Sequence, residues 1–310
     1  MLISIASRAY LNCYNVAMIR AAWQLSRHYC HNSQPEVVRP LAFDLHEPPK
    51  PKVNETTSPI LFLHGLFGSK KNNRGISKAI ARDLGRYVYA LDLRNHGESP
   101  HNQRHDYLSM AEDVSSFIKD KMLTDVSIIG HSMGAKTAMT LALRSPEMVA
   151  NVVAVDNAPV DVALNGDFAK YIRGMKMIQG AKISRQAEAD AILQNFEESV
   201  PIRQFLLGNL YRVPGENVQQ FRIPLDILGR SLANLGDFPY KNTQERRFKK
   251  PALFIRGTKS RYVADDVLPA IGEFFPRFRL VDIDAGHWLI SEQPEAFRQA
   301  VVSFLQEDLD

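Results

Sequence analysis

The sequence predicts an α/β fold, a mostly parallel central sheet flanked by helices, with a helical segment inserted after the strand that ends at Asp156. Three observations carry this. Short apolar runs alternate with helix-length stretches, the pattern of strands joined by right-handed helical crossovers. Runs such as Ile60-Leu61-Phe62-Leu63 and Val152-Val153-Ala154-Val155 are continuously apolar, as expected of parallel strands buried on both faces. Between an apolar run and a helical run stands Gly130-His131-Ser132-Met133-Gly134, a G-x-S-x-G pattern in the strand, sharp turn, helix context of a nucleophile elbow.

The elements follow in order. Residues 41–45 alternate weakly and form a first strand, and residues 47–59, rich in Pro, Lys and Thr, form a surface turn. The strand at 60–63 is followed by a helix over 73–84, a strand over 87–92 and a polar loop over 93–108. Ser109 and Glu112 have the spacing of a capping box that starts a helix running to about 121. The elbow strand and helix come next, then the strand ending at Asp156. From 159 to 248 strand-like runs disappear and helical patterning takes over, around 168–175, 191–196, 205–211 and 227–235. That stretch is too long for a loop without structure of its own and is expected to be a helical lid. The sheet resumes at 251–257, with a helix over 263–275, a last strand over 278–283 and a final helix over 294–306. The expected organisation is one domain over 35–310, with its core in 41–158 and 249–310 and its lid in 159–248.

The formal charge of +4 is concentrated at the start of the chain, because residues 1–34 hold Arg8, Arg20 and Arg27 and no acidic group. The remainder carries 35 basic and 34 acidic groups, so no charge excess points to nucleic acid or an anionic membrane as partner. An arginine-bearing, acid-free segment has the composition of a mitochondrial presequence, and matrix localisation is expected. Ser4, Ser7, Tyr10, Asn12 and Arg20 interrupt the apolar core that a secretory signal needs. No apolar run approaches the roughly 20 residues of a membrane span. Both cysteines, Cys13 and Cys30, lie in this segment, so its cleavage leaves a chain without disulfides or thiolate chemistry. The nine histidines show no close metal-ligand spacing, and the chemistry expected requires neither metal nor cofactor.

Ligands of open parallel sheets collect at the carboxyl ends of the strands, which filters the candidates. Ser132, at the elbow, is the candidate nucleophile; a neutral hydroxyl needs a base, usually histidine. Of the histidines, His287 alone stands just past the last strand, after both serine and lid, in the chain order Ser, acid, His. The acid is less direct. The stretch after the strand that follows the lid, Gly257-Thr258-Lys259-Ser260-Arg261-Tyr262-Val263, contains no carboxylate. Asp265 and Asp266 suit the first turn of the next helix, where negative charge meets the helix dipole. Asp156, at the end of the strand after the elbow, can accept the imidazole N–H and is the favoured candidate, against a strand-end aspartate capping a turn. The oxyanion donors expected are the amide of Met133 and, from the turn His64-Gly65-Leu66-Phe67-Gly68-Ser69, that of Leu66.

The turn 64–69, the segment Asp92-Leu93-Arg94-Asn95-His96-Gly97-Glu98-Ser99, the elbow, Ala154-Val155-Asp156 and Gly286-His287-Trp288 together resemble one branch of the α/β-hydrolases. That branch contains mitochondrial abhydrolase-domain-containing protein 11, bacterial serine esterases and yeast ethanol acetyltransferases. The resemblance spans about residues 41–307 and is weakest in the lid. It implies that the acid follows the strand after the elbow, hence Asp156. Ala135 departs from the pattern, where relatives often carry a third glycine. The expected activity is hydrolysis of carboxylic esters or thioesters, on small-molecule ester or acyl-CoA substrates. The alternatives are alcohol acyltransfer, as in acetyl-CoA plus ethanol giving ethyl acetate, and a non-catalytic binding protein of the same fold. Epoxide hydrolase and dehalogenase chemistry is disfavoured, because it uses aspartate at the elbow.

Overall fold

The computed structural model describes residues 40–49, 58–164 and 166–307; the presequence expected over 1–34 lies outside them. The central sheet has seven strands, β1 (Phe43–His46), β2 (Ile60–Leu63), β3 (Val88–Leu91), β4 (Val126–His131), β5 (Val149–Val155), and, beyond the inserted segment, β8 (Ala252–Gly257) and β9 (Phe278–Ile283). Their spatial order is β1-β3-β2-β4-β5-β8-β9, with β1 antiparallel to β3 and every other pair parallel. Helices α1 (Arg74–Leu84), α2 (Tyr107–Asp120) and α3 (Met133–Arg144) link the first strands. Helix α8 (Leu268–Phe274) joins β8 to β9, and α9 (Leu289–Glu292) and α10 (Pro294–Glu307) end the chain.

The continuously apolar strands are explained by burial on two faces. Along β2, Ile60 and Phe62 point to a layer formed with Ile80 and Leu84 of α1 and with Phe297 and Val301 of α10. Leu61 and Leu63 point to the opposite layer, with Met110 and Val114 of α2 and Ala138 and Leu141 of α3. The period of two sends neighbouring side chains to opposite faces, so neither set can be polar.

Between β5 and β8 lie α4 (Asp167–Gly180), α5 (Gln186–Leu193), α6 (Val200–Leu207) and α7 (Leu225–Gly236), the expected lid. Two expectations need correction here. A short antiparallel ribbon, β6 (Leu210–Arg212) with β7 (Gln219–Phe221), interrupts the helices, and the helix expected around 205–211 ends at Leu207 because the chain turns into β6. The ribbon strands are only three residues each, too short to leave an apolar run in the sequence. The capping box at Ser109 and Glu112 is also displaced. Asp106 is the cap, accepting the Ser109 N–H at 2.8 Å, and Ser109 lies inside the first turn of α2. Asp265 and Asp266 sit in a short 3-10 turn before α8, where Asp265 pairs with Arg256 at 2.5 Å.

Three polar ties fasten the inserted segment to the core. Tyr107 Oη donates to the Leu235 carbonyl at 2.7 Å, and Lys136 Nζ donates to the carbonyls of Gly236 and Asp237 at 3.1 and 3.0 Å. These carbonyls lie at the end of α7, where a cation is favoured, and that of Gly236 also accepts the Val162 N–H at 2.9 Å. Asn209 Nδ2 donates to the Phe67 carbonyl at 2.8 Å, tying the segment to the turn after β2. Burial pushes the Lys136 ammonium down to about 8.

A second polar scaffold holds the turn after β2 against the loop after β3. His64 Nε2 accepts the Leu93 N–H at 3.0 Å while its Nδ1–H donates to the Gly65 carbonyl at 2.8 Å. His96 Nε2 accepts the Phe67 N–H at 3.1 Å while its Nδ1–H donates to the Arg94 carbonyl at 3.0 Å. Each ring must be neutral to accept. Burial lowers the imidazoles of His64 and His96, and takes His105, next in the stack, to about 4. Asp92, fully buried at the end of β3, accepts the Lys70 N–H and ammonium and the Glu98 N–H at 2.6, 2.9 and 2.8 Å.

Two predictions follow from these contacts. A Cβ at Gly134 would overlap the Leu63 carbonyl oxygen and lie 2.7 Å from that of His64, whereas a Cβ at Gly75 meets nothing within 4 Å. Gly134→Ala is expected to cost roughly 3 kcal/mol and about 6–12 °C in Tm, with Gly75→Ala neutral or stabilising by under about 1 kcal/mol. Equal melting temperatures for the two variants would contradict the close approach. The second concerns pH. A histidine lowered from 6.5 to about 4 binds its proton in the unfolded chain first, so its contribution is complete above 6.5 and is lost as pH falls toward 4. Each such group costs about 1.4 kcal/mol per pH unit in that window. Melting curves should therefore decline from pH 6.5 downward, less steeply in His105→Gln; identical slopes in the two proteins would refute neutral burial of His105.

Candidate active site

The candidate residues emerge from the carboxyl ends of adjacent strands. Ser132 follows β4, Asp156 follows β5, the turn 257–260 closes β8, and His287 follows β9, in strands that lie side by side. Ser132 has φ 54° and ψ −112°, a left-handed backbone that L-residues adopt only under constraint. The constraint is the reversal from strand to helix within a few residues. A Cβ at Gly130 would overlap the Gly134 carbonyl, so the elbow can close only with glycine there. Beyond the strand ends the ladder continues, with Ser132 N–H on the Val155 carbonyl at 2.9 Å and Asp156 N–H on the Ile255 carbonyl at 2.8 Å.

Ser132, His287 and Asp156 come together in one hydrogen-bonded series. Ser132 Oγ is 3.0 Å from His287 Nε2, and His287 Nδ1 is 2.6 Å from Asp156 Oδ2. The carboxylate accepts the Nδ1–H, which leaves Nε2 as the acceptor for the serine hydroxyl and fixes the tautomer. Asp156 has no exposed surface and Ser132 is 5% exposed, so the reacting groups are nearly dry. The Tyr262 ring lies 4.4 Å, centroid to centroid, from the His287 ring. From the other side His131 Nε2–H donates to the His287 carbonyl at 2.8 Å. Burial and the neighbouring His287 push the His131 imidazole down to about 4, so it serves as a neutral donor.

Met133 follows the serine in the chain, and Leu66 follows Gly65 in the turn after β2. Met133 opens α3, where the first N–H groups of a helix have no partner within it. In the turn after β2, the Phe67 N–H goes to His96 and the Gly68 N–H to the Gly65 carbonyl at 2.9 Å; the Leu66 N–H has no acceptor among the described residues. The turn runs close beside the elbow, since a Cβ at Gly65 would lie 3.3 Å from the Ser132 Cβ. A developing oxyanion needs such donors, and these two amides are the candidates for that role.

Three contributors escape sequence reasoning. Ser260 fills the stretch that lacks a carboxylate and donates to Asp156 Oδ2 at 2.5 Å; Tyr262 covers His287; His131 holds its backbone. The signal for Ser260 was its place at a strand end, but a serine in a polar turn has no distinguishing pattern. A cleft of about 710 Å³ lies between α6 and the core. Its walls include Gly65 and His131 beside the elbow and the apolar side chains of Ile76, Ile202, Phe205 and Trp288. Phe205 of α6 lies 4.7 Å from Trp288, ring to ring, so the inserted segment packs directly on the neighbour of His287. No cluster of three metal-binding side chains occurs among the described residues.

Comparison with known proteins agrees with the fold. The alpha/beta hydrolase fold family matches residues 58–294. A Saccharomyces cerevisiae protein named as a probable alcohol acetyltransferase is 42% identical over 81% of this chain and 78% of its own. An abhydrolase domain-containing protein of Schizosaccharomyces pombe is 40% identical over 80% of this chain and 92% of its own. The mouse sn-1-specific diacylglycerol lipase ABHD11 is 37% identical over 81% of this chain and 80% of its own. Among solved structures, a marine microorganism esterase superposes with a TM-score of 0.78 at 34% identity, covering 86% of this chain and 99% of the esterase. With its sheet, its elbow and these relatives, the chain belongs to the α/β-hydrolase family, as a hydrolase or acyltransferase.

Proposed function

We propose that the enzyme is a serine hydrolase of carboxylic esters or thioesters acting through Ser132, His287 and Asp156. The observation that carries this is the series of hydrogen bonds from Ser132 Oγ to His287 to Asp156, at 3.0 and 2.6 Å. His287 Nε2 takes the Ser132 proton as Oγ bonds to the acyl carbon. The amides of Leu66 and Met133 hold the resulting oxyanion, a contribution worth several kcal/mol in comparable sites. Collapse of the intermediate breaks the bond to the alcohol or thiol, which leaves with the proton from His287. Water, deprotonated by the same nitrogen, then attacks the acyl-enzyme, and Ser132 recovers its proton as the acid departs. Asp156 stabilises the imidazolium at each stage without taking its proton. The apolar cleft beside Gly65 and His131 suits an ester with a hydrocarbon portion, in line with the lipase named among the relatives.

A second reading is favoured by the similarity to the yeast protein named as a probable alcohol acetyltransferase. The acyl-enzyme is the same, but an alcohol replaces water as acceptor. Residues 1–34 are proposed to direct the chain to mitochondria, on the strength of their three arginines and lack of acidic groups.

Ser132→Ala should lower kcat on a short-chain nitrophenyl ester by roughly 10⁴-fold or more, and Asp156→Asn by roughly 10³–10⁴-fold. Full activity of Ser132→Ala would overturn the assignment. Incubation with acetyl-CoA and ethanol separates the two acceptors. A hydrolase gives free acetate in large excess over ethyl acetate, and an ester yield that rises with ethanol until it exceeds acetate would establish the transferase.

A further inference from the structure

We infer that the ring face of Tyr262 stabilises the imidazolium form of His287, the form that holds the proton in each step of the proposed reaction. This rests on the proposed triad and adds a residue that acts through His287. The two ring centroids lie 4.4 Å apart with the planes 34° from parallel, so the rings meet face toward face. An aromatic face carries the negative part of the ring quadrupole, and a cation within about 6 Å of the centroid is attracted to it. The neutral imidazole lacks that attraction. The contact therefore favours the state in which His287 has taken the Ser132 proton over the state that precedes it, which is the difference catalysis requires. The His287 side chain is only 15% exposed, so water screens the attraction little.

The other neighbours of His287 leave this role to Tyr262. Asp156 meets the imidazole at its edge, through Nδ1 at 2.6 Å, and Ser132 Oγ stands 3.0 Å from Nε2. The His131 ring lies 5.1 Å away and the Trp288 ring 5.8 Å away, the latter at a steep 68°. Burial and the neighbouring His287 hold the His131 imidazole at about 4, so it brings no second charge beside the imidazolium. Glu292 accepts the Gly286 N–H at 2.8 Å. Tyr107 and Tyr171, whose phenols interact electrostatically with that of Tyr262, are pushed up by burial and stay uncharged. Backbone contacts on both sides hold Tyr262 in place. The turn before it is closed by the Ser260 N–H on the Gly257 carbonyl at 2.9 Å, and the Lys259 N–H donates to the carbonyl of Ala285, close to His287, at 3.0 Å. After it, Val263 is buried and its carbonyl accepts from Arg256 Nη1 at 3.2 Å.

The test measures kcat, KM and the pH profile of kcat/KM on a short-chain nitrophenyl ester for Tyr262→Leu and Tyr262→Phe, with Ser132→Ala and thermal melts alongside. Tyr262→Leu is expected to lower kcat roughly three- to thirtyfold and to move the acidic limb of kcat/KM down by about 0.5–1.5 pH units. Without the ring the imidazolium is less stable, so His287 gives up its proton at lower pH and the base form persists further into acid. Loosened packing alone would lower kcat without that shift. Tyr262→Phe keeps the ring face and should hold kcat within about threefold and the limb within about 0.3 units. A Tyr262→Leu enzyme with parental kcat, or with an acidic limb that stays or rises, overturns the proposal, as does a Tyr262→Phe enzyme as impaired as Tyr262→Leu. If Tyr262→Leu does not fold, phenylalanine fluorinated stepwise at position 262 keeps the shape while draining the ring face of negative potential. In that series kcat should fall with each added fluorine, and a flat series overturns the proposal. Full activity of Ser132→Ala removes the triad itself, whereas deep loss there with an unaltered Tyr262→Leu enzyme removes only the role of Tyr262.

Discussion

A fully buried carboxylate is the constraint on which the site depends. Asp156 has no exposed surface, and an unpaired charge in that position would cost several kcal/mol. It is compensated by His287, Ser260 and the Gly257 amide, at 2.6, 2.5 and 3.1 Å. Those donors arrive from β8 and from the loop after β9, so the carboxylate is satisfied only when the far half of the sheet has formed on the near half. The chain between them is the whole inserted segment. Satisfying one buried group therefore couples the completion of the fold to the assembly of the candidate triad.

The opposite side of the serine is built from backbone packing of another kind. The elbow helix comes so close to β2 that Gly134 can carry no side chain against the Leu63 carbonyl. That approach brings the first amide of α3 and the turn after β2 to one side of Ser132. The turn is held by rings that accept backbone N–H groups, His64 and His96, with His105 stacked beyond them. A lysine or arginine could not do this, having no acceptor. Burial keeps the imidazoles neutral, and neutrality is what lets them accept.

What the sequence made legible follows from locality. The strands of the sheet, the elbow and the chain order of Ser132, Asp156 and His287 each leave a pattern within a few residues or in the succession of elements. The empty acid position after β8 was legible too, as an absence of Asp or Glu over 257–263. That Ser260 would occupy it was not, because its partner lies 104 residues away. The ribbon of β6 and β7 left no signal because each strand has three residues and a half-exposed pattern. The displaced cap of α2 shows a different limit. Asp106 and Ser109 are both good capping residues, and the choice between them is made by Tyr107, whose buried ring and bond to Leu235 place it inside the helix. The segment 92–99, one of the stretches that carry the family resemblance, holds loops in place through Asp92 and His96.

The chemistry of the acyl-enzyme is common to hydrolysis and alcohol transfer, so the difference between them has to lie where the acceptor arrives. Water is small and concentrated, and an alcohol competes only where the site near the acyl carbon is dry and shaped to hold it. Ser132 is nearly buried, and the segment above it is fastened at Leu235, Gly236, Asp237 and Asn209. The Phe205–Trp288 contact adds an apolar wall beside His287, the group proposed to deprotonate either acceptor. These features bury the serine without selecting an alcohol. Selection requires a pocket on the acceptor side, and the candidate is the partly apolar cleft bordered by Gly65, His131, Phe205 and Trp288. If the acyl chain fills that cleft, only water has room to follow; if the acyl group is as small as acetyl, the same space is left for an alcohol. Acyl length and acceptor identity are in this way two sides of one steric question.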